Sequence, residues 1–263
     1  MKKSTFILLC ITVCGLTACS EQKINEWACG KEFGQTRCSN LANKAYHAKE
    51  YDKLKKYLEI SANYGNVEAQ ERLGLLYDTD LLGEKDYKQS VYWLQKAAEQ
   101  GRKHAQFSLG DKYQNGLGVE QNYTKALELY KKSAEQGYAD AQLYIGVMYD
   151  KGLGVEQDYK QALAWYQKAA EQDNANAQAL IGAFYNNGLG VEQNYTLALQ
   201  WYEKAANQGF APALTSIGHM YENGQGMEID LTKAKEYYEK GCKAGSQSGC
   251  KKLELVKKKI SNQ

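Results

Sequence analysis

The chain has 263 residues, 43% of them hydrophobic and 24% charged, which is a globular rather than a disordered composition. Lysine and arginine total 33 against 31 acidic residues, and setting aside Lys2 and Lys3, which fall in an export signal, leaves 31 of each. A chain balanced to zero has no electrostatic pull toward phosphate backbones, which sets nucleic acid aside as a partner. Pro212 is the one proline in the sequence, so little interrupts long helical stretches.

Residues 1–18 read as a signal peptide. Lys2 and Lys3 precede an apolar run from Phe6 to Val13, and Gly15-Leu16-Thr17-Ala18-Cys19 supplies a small-residue cleavage site. The run is shorter than the about 20 residues a spanning helix needs. Leu16-Thr17-Ala18-Cys19 resembles the bacterial lipobox, which implies that Cys19 is lipidated and opens the mature chain, holding it to a membrane surface without crossing it. The competing reading is an ordinary secretory signal with an incidental cysteine. Ser20 stands where an aspartate would signal inner-membrane retention, so the same resemblance implies the outer membrane, facing the periplasm. Residues 19–32 then form a tether.

Of seven cysteines, Cys10 and Cys14 leave with the signal and Cys19 carries lipid. An even remainder in an oxidising compartment points to disulfides Cys29–Cys38 and Cys242–Cys250. Each closes a short loop, worth about 2–3 kcal/mol in the chain-entropy picture. Metal binding is the alternative, with no histidine near either pair.

Almost everything else repeats every 36 residues. Ala-Gln occurs at Ala69-Gln70, Ala105-Gln106, Ala141-Gln142 and Ala177-Gln178, with Ala213-Leu214 in phase. Gly74, Gly110, Gly146, Gly182 and Gly218 keep step, as do Tyr77, Tyr113, Tyr149, Tyr185 and Tyr221. Each unit reads as two helices: Ala105, Leu109 and Tyr113 share a face of the first, and Ala126, Leu129, Tyr130 and Ala134 stripe the second. A Gly-Leu-Gly-Val-Glu-Gln loop links them, its first glycine suited to a helix C-cap, and Asn122, Asp158, Asn194 and Asp230 stand where an N-cap is needed. Two-helix units of this size bury their stripes by stacking on one another.

The pattern Ala-Gln-x2-Leu/Ile-Gly-x2-Tyr, then Gly-x-Gly-Val, then Ala-x2-Trp-Tyr-x-Lys-Ala-Ala resembles the Sel-one-like repeat family, a relative of tetratricopeptide repeats. The resemblance implies an all-α fold, a right-handed α/α superhelical solenoid of helix-turn-helix repeats at residues 69–104, 105–140, 141–176, 177–212 and 213–248. Residues 33–68 read as a degenerate capping half-repeat and 249–263 as a C-terminal capping helix. In the first unit Asp80 and Leu82 replace the two loop glycines, so its turn should differ. Cys242 and Cys250, eight residues apart, resemble the bridged helices of bacterial cysteine-rich members of the family.

Little points to catalysis. The glycine loops recur without the Lys-Ser/Thr of a phosphate cradle. None of His47, His104 and His219 has a second ligand at metal-binding spacing, and no cofactor is implied. Some cysteine-rich relatives are described as binding or hydrolysing β-lactams, which makes that activity the enzymatic alternative. Ser248-Gly249-Cys250-Lys251 and Ser20-Glu21-Gln22-Lys23 match the Ser-x-x-Lys of β-lactamases, but Ser-Asp-Asn and Lys-Thr-Gly are absent from the sequence. Binding is the stronger reading, at positions that vary while the scaffold repeats. Arg72, Ser108, Tyr144, Leu180 and Ser216 form one such column; Leu75, Asp111, Val147, Ala183 and His219 lie one turn on. They should line a concave groove that takes a protein or peptide, ordinary solvent exposure being the alternative. The family resemblance implies two roles for such a lipoprotein: immunity against a periplasmic lipase toxin, or service as an envelope adaptor.

Overall fold

The computed structural model describes residues 35–262. The signal peptide, the tether, the lipidated Cys19 and the Cys29 half of the Cys29–Cys38 pair lie outside the described residues. Among those described there are thirteen α-helices, one short 3-10 turn and no strand, and no helix is long and apolar enough to cross a membrane. The described residues divide into two compact units, 35–122 and 123–262.

The first unit holds α1 (Gln35–His47), α2 (Tyr51–Asn63), α3 (Val67–Tyr77), the 3-10 turn Asp80–Leu82, α4 (Tyr87–Glu99) and α5 (Lys103–Asn115). The expected half-repeat at its start is a complete hairpin. Helix α1 carries none of the repeat's signature residues, but Cys38, Ala42 and Ala45 fall three and four apart and bury one stripe against Leu54, Tyr57 and Leu58 of α2. The second unit holds α6 (Tyr123–Glu135), α7 (Ala139–Lys151), α8 (Tyr159–Ala170), α9 (Ala175–Asn187), α10 (Tyr195–Asn207), α11 (Ala211–Asn223), α12 (Leu231–Lys243) and α13 (Gln247–Ser261). The last helix starts two residues before the expected Gly249, because the Ser246 hydroxyl caps it by accepting from the Gly249 amide.

Within each unit, consecutive helices pack as antiparallel neighbours around one buried column. Tyr166 and Tyr238 are wholly buried and Tyr202 nearly so. The helix glycine opposite makes this possible: a Cβ on Gly182 would stand 2.7 Å from the Tyr202 ring, so glycine is what lets α9 and α10 close on each other. The tyrosine hydroxyls end on carboxylates, Tyr238 on Glu222 at 2.5 Å and Tyr166 on Asp150 at 3.5 Å. Burial pushes the Tyr166 and Tyr238 phenols far up, so both stay neutral donors. Asp158, Asn194 and Asp230 cap α8, α10 and α12 as their spacing predicts.

At three junctions a glutamine joins one hairpin to the next. Gln70, Gln106 and Gln142 donate from Nε2 to the carbonyls of Ala62, Ala98 and Ala134 at 3.1, 3.2 and 3.5 Å, each eight residues back. At the last junction the same two positions are Cys242 and Cys250. They form a disulfide with Cα atoms 4.5 Å apart, so a covalent bond stands where Gln70, Gln106 and Gln142 make a side-chain hydrogen bond.

Candidate functional site

The ten variable positions all lie on first helices of hairpins: Arg72 and Leu75 on α3, Ser108 and Asp111 on α5, Tyr144 and Val147 on α7, Leu180 and Ala183 on α9, Ser216 and His219 on α11. Leu75 is exposed and the other nine are half-buried. Several lean on neighbours. Tyr144 sets its ring 5.5 Å from that of Tyr130, Ser216 meets the Tyr202 hydroxyl, and His219 Nδ1 lies 3.3 Å from Gln225 Oε1. Burial pushes the Asp111 carboxyl up, against the nearby Lys112 charge and the hydrogen bond from Asn115.

In the first unit this column meets a cavity. Leu54 and Leu58 of α2 and Leu76 of α3 form its buried apolar wall. Leu75, Leu81 and Tyr46 stand around it 37%, 40% and 51% exposed, and Arg72 adds a guanidinium whose nearest carboxylate, Glu68, is 3.8 Å away. The cavity is about 350 Å³, room for one or two large side chains. The repeat columns reach Arg72 and Leu75 but not Tyr46 or Leu81. Tyr46 belongs to a helix without the repeat signature. Leu81 belongs to the 3-10 turn, for which the lost glycines at Asp80 and Leu82 were the available signal.

The candidates for chemistry are accounted for structurally. Glu71, buried at 5% exposure, is held by Arg102 at 2.7 and 3.3 Å with His104 at 3.7 Å. Lys112, at 2%, pairs with Asp78 at 2.6 Å beneath the Tyr87 ring. Ser248 and Lys251 are exposed on α13 and neither side chain makes a hydrogen bond or ion pair, so no base is positioned on that hydroxyl. Among the described residues no group of three or more metal-ligating side chains converges.

The Sel1 repeat matches at residues 67–101, 103–138, 139–174, 175–210 and 211–246, each match opening at or beside the start of a first helix. The crystal structure of a Sel1 repeat protein from Oxalobacter formigenes is similar over 82% of this chain and 88% of its own, at 33% identity and a TM-score of 0.75. Two immunity proteins of Pseudomonas aeruginosa share the fold at 19% identity; they cover 89% and 79% of this chain and 86% and 83% of theirs, with TM-scores of 0.52 and 0.55. No curated protein matches the sequence. With five tandem matches over most of its length and helical hairpins across the described residues, the chain belongs to the Sel1 repeat family.

Proposed function

We propose that this protein is a non-enzymatic recognition module, lipid-anchored through Cys19 and facing the periplasm, which binds a protein partner at the α1–α3 cavity of its first unit. The observation that carries the reading is the α1–α3 cavity, where Leu75, Leu81 and Tyr46 stand exposed around an apolar wall beside Arg72. Partly exposed apolar side chains around a pocket, with one cation beside them, suit a partner loop that inserts an apolar residue next to an acidic one. The favoured partner is a toxin acting in the periplasm, by analogy with the two immunity proteins of the same fold; an envelope adaptor is the second form recognition would take.

The test is a pair of charge insertions. Leu75→Asp with Leu81→Asp, both at solvent-exposed positions, should leave the unfolding midpoint within about 1 kcal/mol of the parent. The same change should abolish recovery of the partner by crosslinking in the native envelope. Undiminished recovery would remove the cavity from the proposal. Anchoring is tested separately: Cys19→Ala should release the protein from the membrane fraction, and continued attachment would contradict lipidation there.

A further inference from the structure

Charge is unevenly spread along the second unit. Residues 123–230 hold seven lysines against thirteen acidic residues, whereas 231–262, which contain α12 and α13, hold nine lysines against Glu236, Glu239 and Glu254. No arginine occurs in that stretch. Some of its lysines answer carboxylates close by: Lys243 meets Glu239 at 2.8 Å, and Lys252 and Lys259 meet Glu222 at 4.0 and 2.5 Å.

Helix α13 keeps the phase of the first helices. Leu253 and Val256 fall in the buried columns of Ile217 and Met220, and Leu255 continues the variable column of Leu75, Asp111, Val147, Ala183 and His219. At 57% it is the most exposed residue of that column. Around it, at the three- and four-residue spacings that share a helix face, stand Lys251, Lys252, Lys258 and Lys259. Lys251 and Lys258 are exposed, and among the described residues neither side chain makes an ion pair or a hydrogen bond. Glu254 lies on the other flank, tied to Lys257 at 2.9 Å. It also stands in the glycine column, where a Cβ on Gly218 would meet the Tyr238 ring at 2.7 Å. A second helix therefore cannot close on α13 as α12 closes on α11.

An exposed leucine ringed by cations fits a surface that is anionic outside and apolar just beneath. Protein interfaces favour arginine, whose fork pairs both oxygens of a carboxylate, and are depleted in lysine. Nine lysines without an arginine give a diffuse positive field instead, of the kind drawn to an anionic bilayer. A second copy docking through the same face would set lysine against lysine. We infer that the outward face of α13 docks on an anionic phospholipid surface. Leu255 enters the headgroup layer, and the lysine stems lie along the acyl boundary while their ammonium groups meet phosphates. Salt screens this attraction, so it orients the second unit against a bilayer and does not replace an acyl anchor. It does not depend on the α1–α3 cavity.

The test uses the chain from Ser20 onward, which keeps every described residue and carries no acyl group. It is sedimented with vesicles of phosphatidylglycerol and phosphatidylethanolamine, and with phosphatidylcholine vesicles as the neutral reference. Binding to the anionic vesicles alone is expected at low salt, with release at about 0.5 M salt. Lys251→Gln with Lys258→Gln should weaken it about thirtyfold with no change in unfolding midpoint. Lys132→Gln with Lys160→Gln, which removes as much charge from exposed positions in the preceding hairpins, should leave it unchanged. Leu255→Asn should weaken it about tenfold, and the added emission of Leu255→Trp should shift to the blue on the anionic vesicles. The inference is overturned if the anionic vesicles do not bind the chain, if the two lysine pairs cost the same, or if the Leu255→Trp emission is unmoved. Binding to soluble polyglutamate in preference to the vesicles would assign the face to an acidic protein and overturn it equally.

Discussion

Residues 67–101 and 175–210 are the same repeat solved in two ways. In the later one Gly188 ends α9, Gln193 donates back to the Asn186 carbonyl at 2.7 Å, and Leu189 tucks against the hydrophobic core. In the earlier one Asp80 and Leu82 replace the two loop glycines, a 3-10 turn capped by Gly83 replaces the loop, and Leu81 points outward. What holds this altered turn is charge. Asp78 Oδ2 meets Lys112 Nζ at 2.6 Å, and Lys112 occupies a position filled by Met148, Phe184 and Met220 in later hairpins. The equivalent pair in the later repeat is Asn186 and Met220, and there Asn186 Oδ1 is buried without a hydrogen bond. A regular loop is thus secured by backbone shape and an irregular one by an ion pair, and the irregular one lies beside the apolar cavity.

The largest expected effect comes from breaking that ion pair. Asp78→Asn leaves the Lys112 ammonium buried without a counter-charge and should destabilise the first unit by about 3 kcal/mol in urea unfolding. Adding Lys112→Met imports the pair found in the later repeat and should recover most of the loss. Failure of the double variant to recover would show that the altered turn depends on more than this contact.

Next is the contrast between glutamine and disulfide junctions. Converting both Cys242 and Cys250 to alanine should destabilise the α12–α13 hairpin by about 2–3 kcal/mol, read as faster amide exchange in α13. Cys242→Ala with Cys250→Gln restores the residue types of the earlier junctions and should return about 1 kcal/mol. Equal exchange in the two double variants would mean the glutamine bond adds nothing at this end.

A smaller effect distinguishes the same helix by pH. Burial alone would push the Glu222 carboxyl up, but Lys259 at 2.5 Å, the Tyr238 hydroxyl and Lys252 outweigh it and hold the group below its ordinary value. A carboxyl depressed in the folded state contributes stability that is complete above its unfolded value of 4.5 and is lost as pH falls through the lower folded value. Attachment of α13 should therefore weaken in that window by no more than about 1 kcal/mol. Glu222→Gln should flatten the dependence, and an unchanged profile in that variant would assign it elsewhere.

The repeated hairpins were legible because the columns at Gly182 and Tyr202, or Gly218 and Tyr238, recur at fixed spacing, and close approach demands the same small and large partners each time. Cys242–Cys250 was legible from its place in the frame. Helix α1 was not, since its stripe of Cys38, Ala42 and Ala45 satisfies the physics of a buried face without the repeat's signature. The burial of Lys112 is not legible, because a lysine reads as solvated unless its column is compared with Met148 and Phe184. The cavity beside Leu81 depends on the path of a turn that no column specifies.

Partner recognition is proposed where the repeat is broken. The direct measurement is a photo-crosslinking residue at Leu81, at the cavity, and at Gln95, exposed on α4, in the native envelope. A discrete adduct at position 81 that disappears with Leu75→Asp, and none at position 95, is the predicted result. No adduct at 81, or equal adducts at both positions that survive Leu75→Asp, would contradict it.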